Sequence, residues 1–161
     1  MAKFTIVGID DPYNKTPLQP DIINSSGQRV WAMTGMPMRQ YCQFFTRRNL
    51  FRPDEPHDIT TAMIKAKVIL NSLDTRFTGN FIICLGQIVA KGFGISRPTP
   101  LKFISIRQNI WAAYLPHTSG LNRWYNSADN VNAAKQFMKT VAAAASGKID
   151  DDDIYAVLAQ F

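Results

Sequence analysis

The sequence predicts one α/β domain built on a mostly parallel sheet. Three observations carry this. Short β-rich runs ending at a glycine alternate with stretches of helical period, which is the pattern of βαβ units. The 161 residues are 46% apolar and 19% charged, enough apolar surface for one core without an excess of charge. No internal repeat, low-complexity tract or linker divides residues 1–161.

The elements follow in order. Residues 3–9, KFTIVGI, read as a buried strand entering a loop at Asp10-Asp11-Pro12. Residues 10–35 hold three prolines and two glycines without helical period, and read as a long irregular loop of the kind that often carries function. A helix is expected over 36–47, with Thr34 as its cap and Pro37 in its first turn. Residues 48–52 form a weak strand stopped by Pro53. Ile59, Met63, Ala66, Leu70 and Leu73 recur on one helical face, capped by Asp58. Residues 80–85 are the clearest strand, closed by Gly86 and followed by a short helix to about Phe93. Two further strand candidates, 102–106 and 110–115, precede a helix capped by Ser127. That helix sets Val131, Ala134, Met138, Val141 and Ala145 on one face. The carboxylates of 150–153 suit the N-terminus of a last helix, where the dipole favours negative charge.

Composition narrows the function. No apolar run reaches the roughly 18 residues of a membrane span. The N-terminus enters a strand at once and shows no signal-peptide pattern, so a cytoplasmic setting is expected. Cys42 and Cys84 form no metal-binding spacing, and both are expected to be small buried hydrophobes. Eighteen Lys and Arg face twelve Asp and Glu, and four of those twelve lie in 150–153. The rest of the chain is therefore more basic than its net charge of +6 suggests. Such a body suits a polyanion, nucleic acid before membrane.

Chemistry concentrates in two loops at strand ends, where sites form in such sheets. The first is Gly8-Ile-Asp-Asp-Pro-Tyr-Asn14, in which Asp11 precedes a proline and is pushed toward extended backbone. A carboxylate there could orient a water or a sugar. The second is Leu115-Pro-His-Thr-Ser-Gly-Leu-Asn-Arg123. His117 could donate to a developing oxyanion, and Thr118, Ser119 and the Gly120 amide could contact a phosphate backbone. His57, beside Pro56 and a helix cap, reads as an ordinary loop histidine. No phosphate-binding P-loop, dinucleotide fingerprint, nucleophile elbow or metal spacing is present.

The ordered set of motifs resembles the uracil-DNA glycosylase superfamily over roughly residues 3–145. In that family a first motif ends the first strand, in one branch as Gly-Gln-Asp-Pro-Tyr-His, and a last motif follows the final strand as His-Pro-Ser-Pro-Leu or a variant. Their counterparts are Gly8–Asn14 and His117-Thr-Ser-Gly-Leu121, with the strand, glycine and helix of 81–94 between them. The resemblance implies a three-layer α/β/α domain around a mostly parallel four-stranded sheet. It gives Asp11 the role of the carboxylate that positions water or stabilises the sugar cation, with Asp10 competing because one extra residue follows Gly8. Tyr13 matches the aromatic that screens the pyrimidine 5-position, and Asn14 stands where one branch has histidine. Asn49 resembles the base-reading asparagine that opens the second strand, and His117 the histidine that stabilises the departing base. Thr118 replaces a proline, the cysteines of the iron–sulfur branches are absent, and Trp31 and Tyr41 are the candidates for a stacking aromatic.

The implied function is hydrolysis of the N-glycosidic bond of uracil or a modified pyrimidine in single- or double-stranded DNA, after base flipping and without a cofactor or metal. Arg47, Arg48 and Arg123 would grip phosphates. The protein would act as a monomer. Two rivals share the fold: an inactive protein binding DNA or a protein partner of DNA metabolism, and an enzyme of modified-nucleotide metabolism. The size and the departures suit a phage or mobile-element protein in a bacterial or phage-infected cell.

Overall fold

A computed structural model of the chain describes residues 2–10, 16–76, 78–118 and 122–159. One sheet is built from β1 (Lys3–Gly8), β2 (Phe45–Asn49), β3 (Asn80–Leu85), β4 (Phe103–Arg107) and β5 (Ile110–Leu115). Its order is β2-β1-β3-β5-β4, parallel throughout except for β4, which runs antiparallel to β5 at the edge. The sheet therefore has five strands, matching the five candidates of the sequence and not the four that the resemblance implies. The edge strand β4 belongs to a tight hairpin, in which Asn109 takes a left-handed backbone (φ 58°) that lets residues 108–109 reverse the chain.

Helices cover both faces. The core on one side joins α1 (Ser26–Thr34), α2 (Met38–Phe44), α5 (Ala128–Ala145) and α6 (Asp151–Leu158) to Phe4, Ile6, Phe81, Ile83, Leu85, Ala113 and Leu115. On the other side, α3 (Ile59–Ser72) and α4 (Gln87–Gly92) pack on Val7, Ile82, Cys84, Ile110, Ala112 and Tyr114. Every residue of β3 is buried, and its side chains alternate between the two cores. A strand covered on both faces reads as a continuous apolar run.

Several boundaries depart from expectation. Helix α1 lies inside the stretch expected to be a loop. Its polar first turn and internal glycine hide it, yet Ser25 caps it by accepting from the Gln28 N–H at 3.0 Å. Gly27 is required there, because a Cβ would stand 2.3 Å from the Leu18 carbonyl carbon. Strand β2 begins at Phe45, three residues before the expected 48. Leu50 and Phe51 follow the strand and bury there, continuing the pairing through bonds to the Gly8 and Ile9 carbonyls at 2.8 and 2.9 Å.

Helix α3 has the expected cap, with Asp58 accepting from the Thr61 N–H at 2.7 Å, but it is rotated. It buries Ala62, Ala66 and Leu70 and leaves Ile59 and Met63 exposed. The small alanines face α4 and the sheet, so size at the contact overrode the strongest apolar period. Ser127 caps α5 by accepting from the Asn130 N–H at 3.3 Å, and the carboxylates of 151–153 occupy the first turn of α6. Cys84 is buried as expected, whereas Cys42 is exposed because it sits on the outer side of α2. No helix among the described residues is long and apolar enough to cross a membrane.

Candidate functional site

Four parallel strands point their carboxyl ends at one edge of the sheet. The connection from β1 leads to β2 on one side, and the connection from β3 leads toward β5 on the other. Ligand sites in such sheets lie where the connections diverge, which here is between β1 and β3. Gly86 closes β3 at that point with φ 93°, a backbone that side chains rarely adopt. A Cβ on Gly86 would stand 3.4 Å from Ile9 Cδ1 and 3.6 Å from His117 Cβ. The residues after β1 and after β5 thus meet over this glycine.

Asp10 and His117 are placed differently. The Asp10 carboxylate lies 3.3 Å from His57 Nε2, and both side chains are partly exposed. His57 is held in turn by stacking on Phe51, with ring centroids 4.5 Å apart and planes inclined by 24°. His57 was read from the sequence as an ordinary loop residue. Its partner is 47 positions away in the chain, and only the crossing of two loops at the edge brings them together.

His117 is half-buried, and that burial pushes its pKa below the ordinary histidine value of 6.5. The nearby Asp10 carboxylate pulls it upward, and the Arg29 guanidinium pushes it down. The imidazole is consequently neutral at neutral pH and can donate one N–H.

The backbone around His117 is fastened at three successive carbonyls. The Tyr125 hydroxyl donates to Pro116 O at 2.6 Å, Asn122 Nδ2 to His117 O at 3.0 Å and Arg29 Nη1 to Thr118 O at 2.9 Å. Burial pushes the Tyr125 phenol upward in pKa, so it remains a donor. These three residues come from α1 and from the segment around a short 3-10 helix, Arg123–Asn126. Sequence reading missed all three. Asn122 and Tyr125 had a signal in the dense run of polar and aromatic residues just after the last motif, whereas Arg29, 89 positions before Thr118, had none.

Asn49 closes β2 and does not open it, and it pairs with Gly8 in the sheet register. Its side-chain oxygen is buried and finds no hydrogen-bond partner among the described residues. A buried acceptor left in that state costs roughly 1–3 kcal/mol, unless a ligand donates to it. Asn49 also borders a surface cleft of about 510 Å³ with Arg48, Arg52 and Lys65. Lys65 is already tied to Glu55 at 3.0 Å.

Other expected residues fall elsewhere. Thr118 is buried, and its hydroxyl donates to Ser26 O at 3.2 Å, so it braces the loop against α1 instead of reaching a phosphate. Arg47 is partly buried and sits over the Tyr41 ring at 5.6 Å with its Nε buried. Tyr41 is in the core and cannot stack on a base, and Trp31 donates its indole N–H to Met36 O at 2.8 Å. Arg48 and Arg123 are exposed. Asp11, Tyr13, Asn14, Ser119 and Gly120 lie outside the described residues. Among the described residues no cluster of three or more His, Cys, Asp and Glu could hold a metal.

No protein-family model matches the chain, and no curated protein matches it.

Proposed function

We propose that this protein is a DNA glycosylase that hydrolyses the bond between deoxyribose and uracil or a modified pyrimidine, acting on a nucleotide flipped from the strand. One observation supports the reading above the others. A carboxylate (Asp10), an amide whose buried oxygen finds no partner among the described residues (Asn49) and a histidine kept neutral (His117) stand at the ends of β1, β2 and β5, at the same edge of the sheet.

These groups suit a dissociative hydrolysis. An amide offers an acceptor and donors to the edge of a pyrimidine, and Asn49 would read the base through them. As the bond from C1′ to N1 lengthens, its electron pair moves onto the base. The His117 N–H donates to the oxygen where that charge gathers. Positive charge grows on the sugar, and the Asp10 carboxylate stabilises it. A water oxygen then bonds to C1′, its released proton passes to the carboxylate and on to solvent, and the departed base is reprotonated. Flipping costs about a few kcal/mol, least for single-stranded or mispaired nucleotides. Arg48 and Arg123 would hold flanking phosphates with salt-sensitive affinity.

Release of free base from single- and double-stranded DNA bearing uracil or 5-substituted pyrimidines tests the reading. Release by the wild-type chain that is lost in His117→Ala supports it. Salt-sensitive DNA binding with no base released from any of these substrates would replace it with a binding protein on the same fold.

A further inference from the structure

The three side chains that fasten residues 116–118 share a second environment. Arg29, Asn122 and Tyr125, together with Met33, Asn126 and Lys135, line a cavity of about 380 Å³ between α1, the 3-10 segment and α5. That volume is within the range of small-ligand sites, which run from roughly 300 to 1,000 Å³. Its chemistry is divided. Arg29 and Lys135 contribute two cations, and no carboxylate lines the cavity among the described residues. Met33 and the ring of Tyr125 contribute an apolar wall, and the two asparagines contribute amides.

Those cations differ from the ones beside Asn49. Lys65 and Arg52 already lie at 3.0 and 3.9 Å from the Glu55 carboxylate. Arg29 spends one N–H on the Thr118 carbonyl, and a guanidinium has five. Donors therefore remain for an anion.

We propose that this cavity is a second nucleotide site, which takes one nucleoside 5′-phosphate with the phosphate between Arg29 and Lys135 and the base against Met33 and the Tyr125 ring. A ligand seated there rests on the same side chains that hold the carbonyls of Pro116, His117 and Thr118. Occupancy is thereby coupled to the position of His117. The nucleotide is either a flanking unit of the strand or a free mononucleotide. Only the first source rests on the glycosylase reading.

The test is direct binding to the full chain, followed by tryptophan fluorescence. Trp124 is suited as the reporter because its ring lies 4.9 Å from that of Tyr125. The probes are thymidine 5′-monophosphate, thymidine, inorganic phosphate and a uracil-free thymidine pentanucleotide. The monophosphate is expected to saturate the signal below about 10 mM and to bind at least tenfold more tightly than thymidine or phosphate alone. Lys135→Met should weaken it at least tenfold, Lys135→Arg should restore it, and Asn49→Ala should leave it unchanged. A pentanucleotide that loses affinity by the same factor in Lys135→Met identifies the strand as the source. A pentanucleotide indifferent to that change, beside a sensitive monophosphate, identifies the free nucleotide. No saturation, equal binding of thymidine, or a loss in Asn49→Ala matching that in Lys135→Met would overturn the proposal. Base release is not a readout, so this site and the glycosylase reading can fail separately.

Discussion

The segment after β1 and the segment after β5 meet over Gly86, but they are held in different ways. Residues 116–118 are fastened through the backbone, one carbonyl at a time, by Tyr125, Asn122 and Arg29. Asp10 is steadied through its side chain, by a histidine that itself leans on Phe51. Backbone fastening fixes where the imidazole sits whatever its protonation state. A side-chain ion pair depends on the charge of both members and is screened at the surface. The histidine is therefore built into the scaffold, and the carboxylate is adjustable.

The largest effects are expected at the two groups themselves. Under single-turnover conditions His117→Ala should slow base release by about 10²–10³, the usual loss when one donor to a developing anion is removed. A comparable loss is expected for Asp10→Asn. Activity retained in Asp10→Asn and abolished in Asp11→Asn would move the carboxylate role to Asp11.

A smaller effect tests the fastening. Tyr125→Phe removes the 2.6 Å bond to Pro116 O and leaves a buried carbonyl unpaired. About 1 kcal/mol of stability should be lost, a drop in Tm of roughly 2–4 °C for a chain of this size. Base release should fall about tenfold, because His117 is then less well placed. A Tm shift with an unchanged rate would show that the hydroxyl serves stability alone.

The pH dependence separates the loops further. His117 has a lowered pKa in the folded state, chiefly from burial. As pH falls through the ordinary histidine value of 6.5, the unfolded chain takes up a proton that folded His117 resists. Stability should therefore decline with acidification across and below that value, and His117→Asn should flatten the decline in urea titrations at several pH values. An equal decline in the variant would assign it to other groups.

The smallest stability effect is expected at His57. His57→Phe keeps an aromatic ring against Phe51 and deletes the pair with Asp10. Both partners are partly exposed, so under about 1 kcal/mol should be lost. Base release should nevertheless fall several-fold if His57 orients the carboxylate, and an unchanged rate would show that Asp10 needs no such support.

What the sequence revealed followed local physics. Strand β3 was legible because a doubly covered strand is apolar throughout, and the caps Asp58 and Ser127 because capping is a short-range contact. Helix α1 was hidden by its polar first turn and by Gly27, which tertiary approach to Leu18 demands. Asn49 and His117 could be named as candidates, but their surroundings could not. The bond from Arg29 to the Thr118 carbonyl spans 89 positions, and the pair of His57 with Asp10 forms only when two loops cross. That the buried oxygen of Asn49 meets no donor among the described residues is a property of packing and leaves no trace in residue order.

Asp10 and His117 are proposed to act on one flipped nucleotide. Single-turnover release of uracil from single-stranded DNA, measured for wild type, Asp10→Asn and His117→Ala with DNA affinity measured in parallel, tests it most directly. The expected result is release by the wild-type chain, a loss of at least about 100-fold in each variant and little change in affinity. Release that survives both substitutions would contradict the claim.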